Sequence, residues 1–122
     1  AALDCCGMVV EVAQLLLLIR QWERQSMPMP SSGISCEIIY LVAARSPNDP
    51  ACVKDLFLTL GYSEARVSEV LRALIQDGWI EQKASSADKR KRTLYPSEKC
   101  TRLLSTSPTV GLIAGWSKLA KL

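Results

Sequence analysis

LFLTLGYSEARVSEVLRALIQDGWIEQ, residues 56–82, is punctuated by two glycines and one serine at positions that divide it into short elements. Gly61 closes a helix that comes in from the left, because glycine enters the left-handed region at a helix end without a Cβ penalty. Two residues later Ser63 can cap a new helix by accepting from its first free N–H groups. In that helix Val67, Val70, Leu71, Leu74 and Ile75 recur at i, i+3, i+4, i+7 and i+8, the spacing of one buried stripe. Gly78 ends it. Two short helices joined by Gly61-Tyr62-Ser63, the second amphipathic, make a helix-turn-helix. The positions left outside the stripe are Glu64, Arg66, Ser68, Glu69, Arg72 and Ala73.

Toward the N-terminus, Asp49-Pro50 is a start signal that places the first helix of this pair over Pro50–Leu60. Before it, Ile38, Ile39, Leu41 and Val42 supply the apolar face of a helix from Ile34 or Ser35 to Arg45. SMPMPSSG, residues 26–33, is a connector. Residues 3–25 form a first helix that is apolar around most of its circumference, which one small core cannot cover. It either runs through the middle of the fold or packs on a second copy of the chain. Leu15, Leu16, Ile19 and Trp22 are the candidates for a two-fold contact. The apolar run Val9–Ile19 is too short to span a bilayer and contains Glu11 and Gln14, so no membrane association is expected.

Toward the C-terminus, residues 79–84 (WIEQKA) alternate, residues 85–91 (SSADKRK) are turn-rich, and residues 92–95 (RTLY) alternate again. That is a β-hairpin with a basic tip. Ser97 starts a fifth helix ending near Ser105. Ser107-Pro108 opens a last one that carries Trp116 and Leu119, two further candidates for the two-fold contact. From Lys83 to Arg102 seven basic residues face two acidic ones, a local balance of +5 in a chain of net charge +3. A basic patch on an otherwise slightly acidic body suits binding a polyanion by one face.

Helix, helix-turn-helix and hairpin in this order describe a winged helix, and residues 34–104 resemble the MarR family of bacterial transcription regulators. The resemblance is most specific in DKRKRTLYPSEKC, residues 88–100, where Asp88, Arg90 and Ser97 fall on the family's Asp-x-Arg wing tip and the opening of its next helix. Pro96 and Cys100 depart from it, as does Glu69, where many members carry a basic residue. Leu74, Gly78 and Ile80 match as well. The resemblance implies a mainly α fold with a small hairpin, in one domain: an N-terminal helix over 1–25, the winged core over 34–104 and a C-terminal helix over 107–122. It implies a homodimer on double-stranded DNA, a role for Asp88 in orienting Arg90, and a small-molecule effector, which no residue here identifies.

Physical chemistry assigns the DNA contacts. A helix fits the major groove, where Arg66 can pair with guanine by two hydrogen bonds and Ser63, Ser68 and Arg72 can donate to bases or phosphates. Lys89, Arg90, Lys91 and Arg92 suit phosphates and a narrow minor groove. The competing reading is a winged helix used for protein assembly, favoured by Glu64, Glu69 and Asp77. With no histidine and no glycine-rich phosphate loop, an enzyme is not expected. Five cysteines without a Cys-x-x-Cys pair predict neither zinc nor a disulfide framework, nor any other cofactor; small buried thiols in a cytoplasmic protein are expected. Cys100, between Lys99 and Arg102, is the best candidate for a reactive thiol. Trp79 is read as a packing residue.

Overall fold

The structure, a computed structural model, describes residues 2–28, 33–84 and 90–120, with side chains over 7–28, 33–84 and 90–115. Among the described residues the chain order is α1 (Ala2–Ser26), α2 (Gly33–Ala44), β1 (Ala51–Cys52), α3 (Val53–Leu60), α4 (Glu64–Gln76), β2 (Ile80–Ala84), β3 (Arg92–Pro96), α5 (Glu98–Leu104) and α6 (Val110–Ala120). The three strands form one antiparallel sheet in the order β1-β3-β2. The fold is mainly α with a small sheet, a winged helix-turn-helix between an N-terminal and a C-terminal helix.

One core holds these elements. Ile38, Ile39 and Val42 of α2, Leu56 of α3, Val67, Val70, Leu71 and Leu74 of α4, Ile80, Leu94 and Cys100 are all buried together. The stripe on α4 is therefore a packing surface, and its opposite side is free. Ser63 caps α4 as expected, its Oγ accepting from the Arg66 N–H at 3.2 Å. Gly61 and Gly78 hold φ of 74° and 80°, left-handed conformations that end α3 and turn the chain from α4 into β2. Ser97 caps α5 through the Cys100 N–H at 3.1 Å.

One expectation is corrected. The third helix begins at Val53 and not at Pro50, because Ala51 and Cys52 pair with Leu94 and Thr93 as a third strand. Ala51 is buried there, and the helix is started by Asp55, whose carboxylate accepts from the Cys52 N–H at 2.9 Å. Asp49 closes a turn instead, its N–H donating to the Ser46 carbonyl at 3.0 Å.

Of the two arrangements left open for α1, the structure excludes the first: the helix does not run through the middle of the fold. Among its described side chains Glu23 alone is buried, while Met8, Val9, Val10, Val12, Leu16, Leu17 and Leu18 are exposed. The helix is tied to the body near its C-terminal end, where the Trp22 indole donates to Thr106 Oγ1 at 3.2 Å.

Candidate nucleic-acid interface

The side of α4 away from the core carries Glu64, Ala65, Arg66, Glu69, Arg72 and Gln76 in the open, with Ser68 half-buried at its edge. Arg66 is paired to Glu69, with Nη1 at 3.4 Å from Oε2. Ser63 spends one lone pair on the Arg66 N–H and keeps its O–H free to donate.

The wing is built from β2 and β3, in register from Ile80↔Pro96 to Ala84↔Arg92. Thr93 Oγ1 donates to the Lys83 carbonyl at 3.1 Å, and the Lys83 ammonium lies 5.0 Å from the centre of the Tyr95 ring. These contacts tie the two strands together one pair below the tip end of the ladder, Ala84↔Arg92. Arg90, Lys91 and Arg92 are exposed. Asp88 and Lys89 lie outside the described residues.

An open cleft of about 680 Å³ separates the start of α3 from the wing, lined by Lys54, Asp55, Leu58, Arg90, Lys91 and Arg92. Four cations around one carboxylate make it electropositive. Asp55 is already committed: it accepts from the Cys52 N–H, from the Cys52 thiol at 3.3 Å, and lies 3.6 Å from Arg45 Nη2. The backbone N–H is the main reason that its carboxyl is held below the usual range, with the thiol, Arg45 and Lys91 adding to it. Val53 lines this cleft and also the smaller groove, about 280 Å³, that holds Ser68 and Arg72. Wing cations and one edge of α4 thus flank the start of α3. Lys54 was not anticipated, because its place in the cleft follows from the short strand β1 that sequence periodicity hides.

The structure distributes the other expected residues. Leu15, Ile19 and Trp22 are half-buried and Leu16 is exposed; Trp116 and Leu119 fall on α6, with side chains outside the described residues. On α6, Val110, Leu112 and Ile113 are exposed. Between α1 and α2 a crevice of about 410 Å³ is lined by Leu16, Ile19, Arg20, Glu23, Tyr40 and Tyr62, among others. In its wall Glu23, 8% exposed, accepts from the Tyr40 hydroxyl at 2.7 Å and lies 3.3 Å from Arg20. Burial first, and then this bond to Glu23, push the Tyr40 phenol far above its ordinary range.

Cys36 and Cys100 are buried thiols pushed up by desolvation, and Cys52 is half-buried. The basic neighbours of Cys100 do not reach it: Lys99 lies over the Trp79 ring, 4.0 Å from its centre, and donates to the Asp77 carbonyl at 3.0 Å. Trp79 itself packs against the core. Among the described residues no group of three or more His, Cys, Asp or Glu could hold a metal ion, and no helix is long and apolar enough to cross a membrane.

The winged helix DNA-binding domain family matches residues 32–100 of the chain. No curated protein sequence matches. Among solved structures, a mutant of MepR from S. aureus bound to an oligodeoxyribonucleotide superposes with a TM-score of 0.66 at 15% identity, over 100% of this chain and 84% of that one. The transcriptional regulator Tm0710 from Thermotoga maritima gives 0.62 at 14%, over 94% and 92%. MarR gives 0.58 at 11%, over 93% and 80%. At these identities the likeness is one of fold, and it extends to α1 and α6 as well as to the winged core.

Proposed function

Because the chain belongs to the winged helix DNA-binding domain family and carries the fold of MarR-type regulators, we propose that it is a sequence-specific double-stranded DNA-binding regulator of transcription, working as a homodimer in the cytoplasm. The observation that carries this reading is that the basic wing and one edge of α4, at Ser68 and Arg72, flank the start of α3, where Val53 lines both grooves. On this reading α4 enters the major groove, with Arg66 and Arg72 reaching base edges and Ser63 and Ser68 donating to bases or phosphates. Lys54 and the wing residues Lys89, Arg90, Lys91 and Arg92 neutralise phosphates or enter the minor groove, and Asp88 orients Arg90.

The exposed apolar side chains of α1 and α6 support the dimer. A monomer rarely leaves so many large apolar side chains of two helices in water, and a two-fold contact covers them with the same helices of a second copy. Two α4 helices then meet half-sites about one helical turn, ~10 base pairs, apart. The crevice between α1 and α2 borders this contact and is where a small effector fits.

Salt titration tests the reading. Binding to duplex DNA should weaken linearly in log K against log salt, with tighter binding to one selected sequence than to random duplex. Lys91→Ala should lower the slope. A protein that binds no duplex at low salt is instead an assembly module of the same fold; one that binds with a slope that Lys91→Ala leaves unchanged does not use the wing.

A further inference from the structure

At about 100° per residue, the buried positions Val67, Val70, Leu71 and Leu74 define one side of α4, and the line directly opposite runs through Ala65, Glu69, Arg72 and Gln76. Glu69 therefore stands near the centre of the outward face. Arg66 leaves from its flank and reaches across to it. The side chains are 73% and 49% exposed, and the ion pair between them is 3.4 Å long. A carboxylate in the middle of a surface meant for a polyanion is repelled by phosphates. A favourable contact with DNA is open to it only at a donor on a base edge.

In the major groove guanine offers acceptors at N7 and O6, thymine an acceptor at O4 and a methyl group, adenine an acceptor beside a donor, and cytosine a lone N4 donor. A carboxylate is matched by cytosine and opposed by guanine and thymine, so its contribution is discrimination as much as attraction. The guanidinium of Arg66 has the reverse preference. Successive base pairs are stacked about 3.4 Å apart. Two side chains held at the length of an ion pair can thus address neighbouring base pairs without separating.

We propose that Arg66 and Glu69 act as one reading unit, with Arg66 on guanine O6 and N7 and Glu69 accepting from the N4 amino group of a cytosine in the adjacent base pair. The proposal rests on the DNA-binding reading above and names the chemistry of its half-site. Glu69 holds the guanidinium in place before DNA arrives, and on DNA it disfavours a guanine or thymine at the position where the cytosine amino group would stand.

The test is selection of bound duplexes from a random pool by the full chain and by Glu69→Gln, Glu69→Ala and Arg66→Ala. All three changes are at exposed positions, and circular dichroism checks that α4 is kept. The parent should enrich a guanine next to a cytosine in each half-site, with about tenfold or greater preference at the cytosine. Glu69→Gln should move that one position toward adenine, which an amide pairs at N6 and N7, and Glu69→Ala should leave it without preference. Arg66→Ala should relax the guanine and weaken the cytosine choice too. If Glu69→Gln and Glu69→Ala bind every duplex more tightly and enrich the same sequence as the parent, Glu69 is only a repelling charge and the unit does not exist. A parent that retains no duplex at all removes the DNA-binding reading itself, a separate result.

Discussion

Replacing Leu16 tests whether α1 is a dimer helix. Leu16 is 56% exposed in the single chain. Full burial of a leucine side chain is worth about 1.5–3 kcal/mol, so covering the remaining half contributes about 1 kcal/mol per copy. Two-fold symmetry places the change on both sides of the contact. Leu16→Ala should then weaken the dimer by about 2 kcal/mol, roughly 30-fold in its dissociation constant. Leu16→Asp should weaken it further, because two carboxylates would be desolvated without partners. Sedimentation equilibrium across a hundredfold range of protein concentration reads these constants directly, and circular dichroism confirms that the monomer stays folded. The core of α2, α3, α4 and the sheet should hold in both variants, since Leu16 is not part of it. A parent that is monomeric at the highest concentration, or a Leu16→Asp variant that dissociates as the parent does, would refute the argument from exposed apolar area.

Lys54→Ala with Lys91→Ala removes two cations per chain from the cleft; in a dimer the slope of log K against log salt should fall by about 3–4, equally on specific and random duplexes. The cleft assignment fails if the slope is unchanged. Mild peroxide should leave DNA binding unaltered, because Cys100 is 1% exposed and burial pushes its thiol away from the reactive thiolate; a loss of binding that Cys100→Ser abolishes would show the opposite. Asp55 is held below the usual carboxylate range, so its contribution to stability is fully present above the unfolded value of about 4 and is lost as pH falls through its lower folded value. With no histidine in the chain, urea midpoints at pH 6 and pH 8 should coincide, and Asp55→Asn should flatten the acid limb below pH 4. Gly61→Ala should destabilise by about 1–2 kcal/mol, read from thermal melts, since alanine resists a φ of 74°.

The helix-turn-helix was legible because its signals are local. Gly61, Ser63 and Gly78 act on their neighbours through backbone geometry, and the stripe from Val67 to Leu74 needs only one periodicity. The hairpin was legible in WIEQKA and RTLY for the same reason. β1 was not, because two residues have no period: Ala51 and Cys52 become a strand by pairing with Leu94 and Thr93, about forty residues away in sequence. That pairing overrode the local start signal of Asp49-Pro50, and with it went the position of Lys54. For α1 the sequence showed apolar surface beyond what one core could use, yet left two outcomes open. Only the packed arrangement shows that Val9, Val10, Leu16, Leu17 and Leu18 stay in water in the single chain. On α4 the pattern separated buried from exposed residues but not Arg66 from Glu69, which are distant on a list of types and paired in space.

How α1 is rooted bears on what the proposed dimer can read. At 1.5 Å per residue, the stretch from Met8 to Glu23 is a lever of about 22 Å. A change of ~10° at its root would move its tip by about 4 Å, more than the 3.4 Å step between base pairs. Apolar contacts alone tolerate such a tilt, because they have little directional preference. The root of α1 is instead held by directed polar bonds: Trp22 to Thr106, and buried Glu23 to Tyr40 on α2. A buried carboxylate is a costly way to hold a helix, since leucine in its place would bury more apolar area without desolvating a charge. One of its oxygens is taken by Tyr40 of α2, which sets a direction that leucine would leave free, and the other by Arg20 of α1 itself. In a dimer built on α1, the spacing of the two α4 helices inherits the precision of that angle, and the crevice beside Glu23 and Tyr40 is the place where a bound molecule would change it.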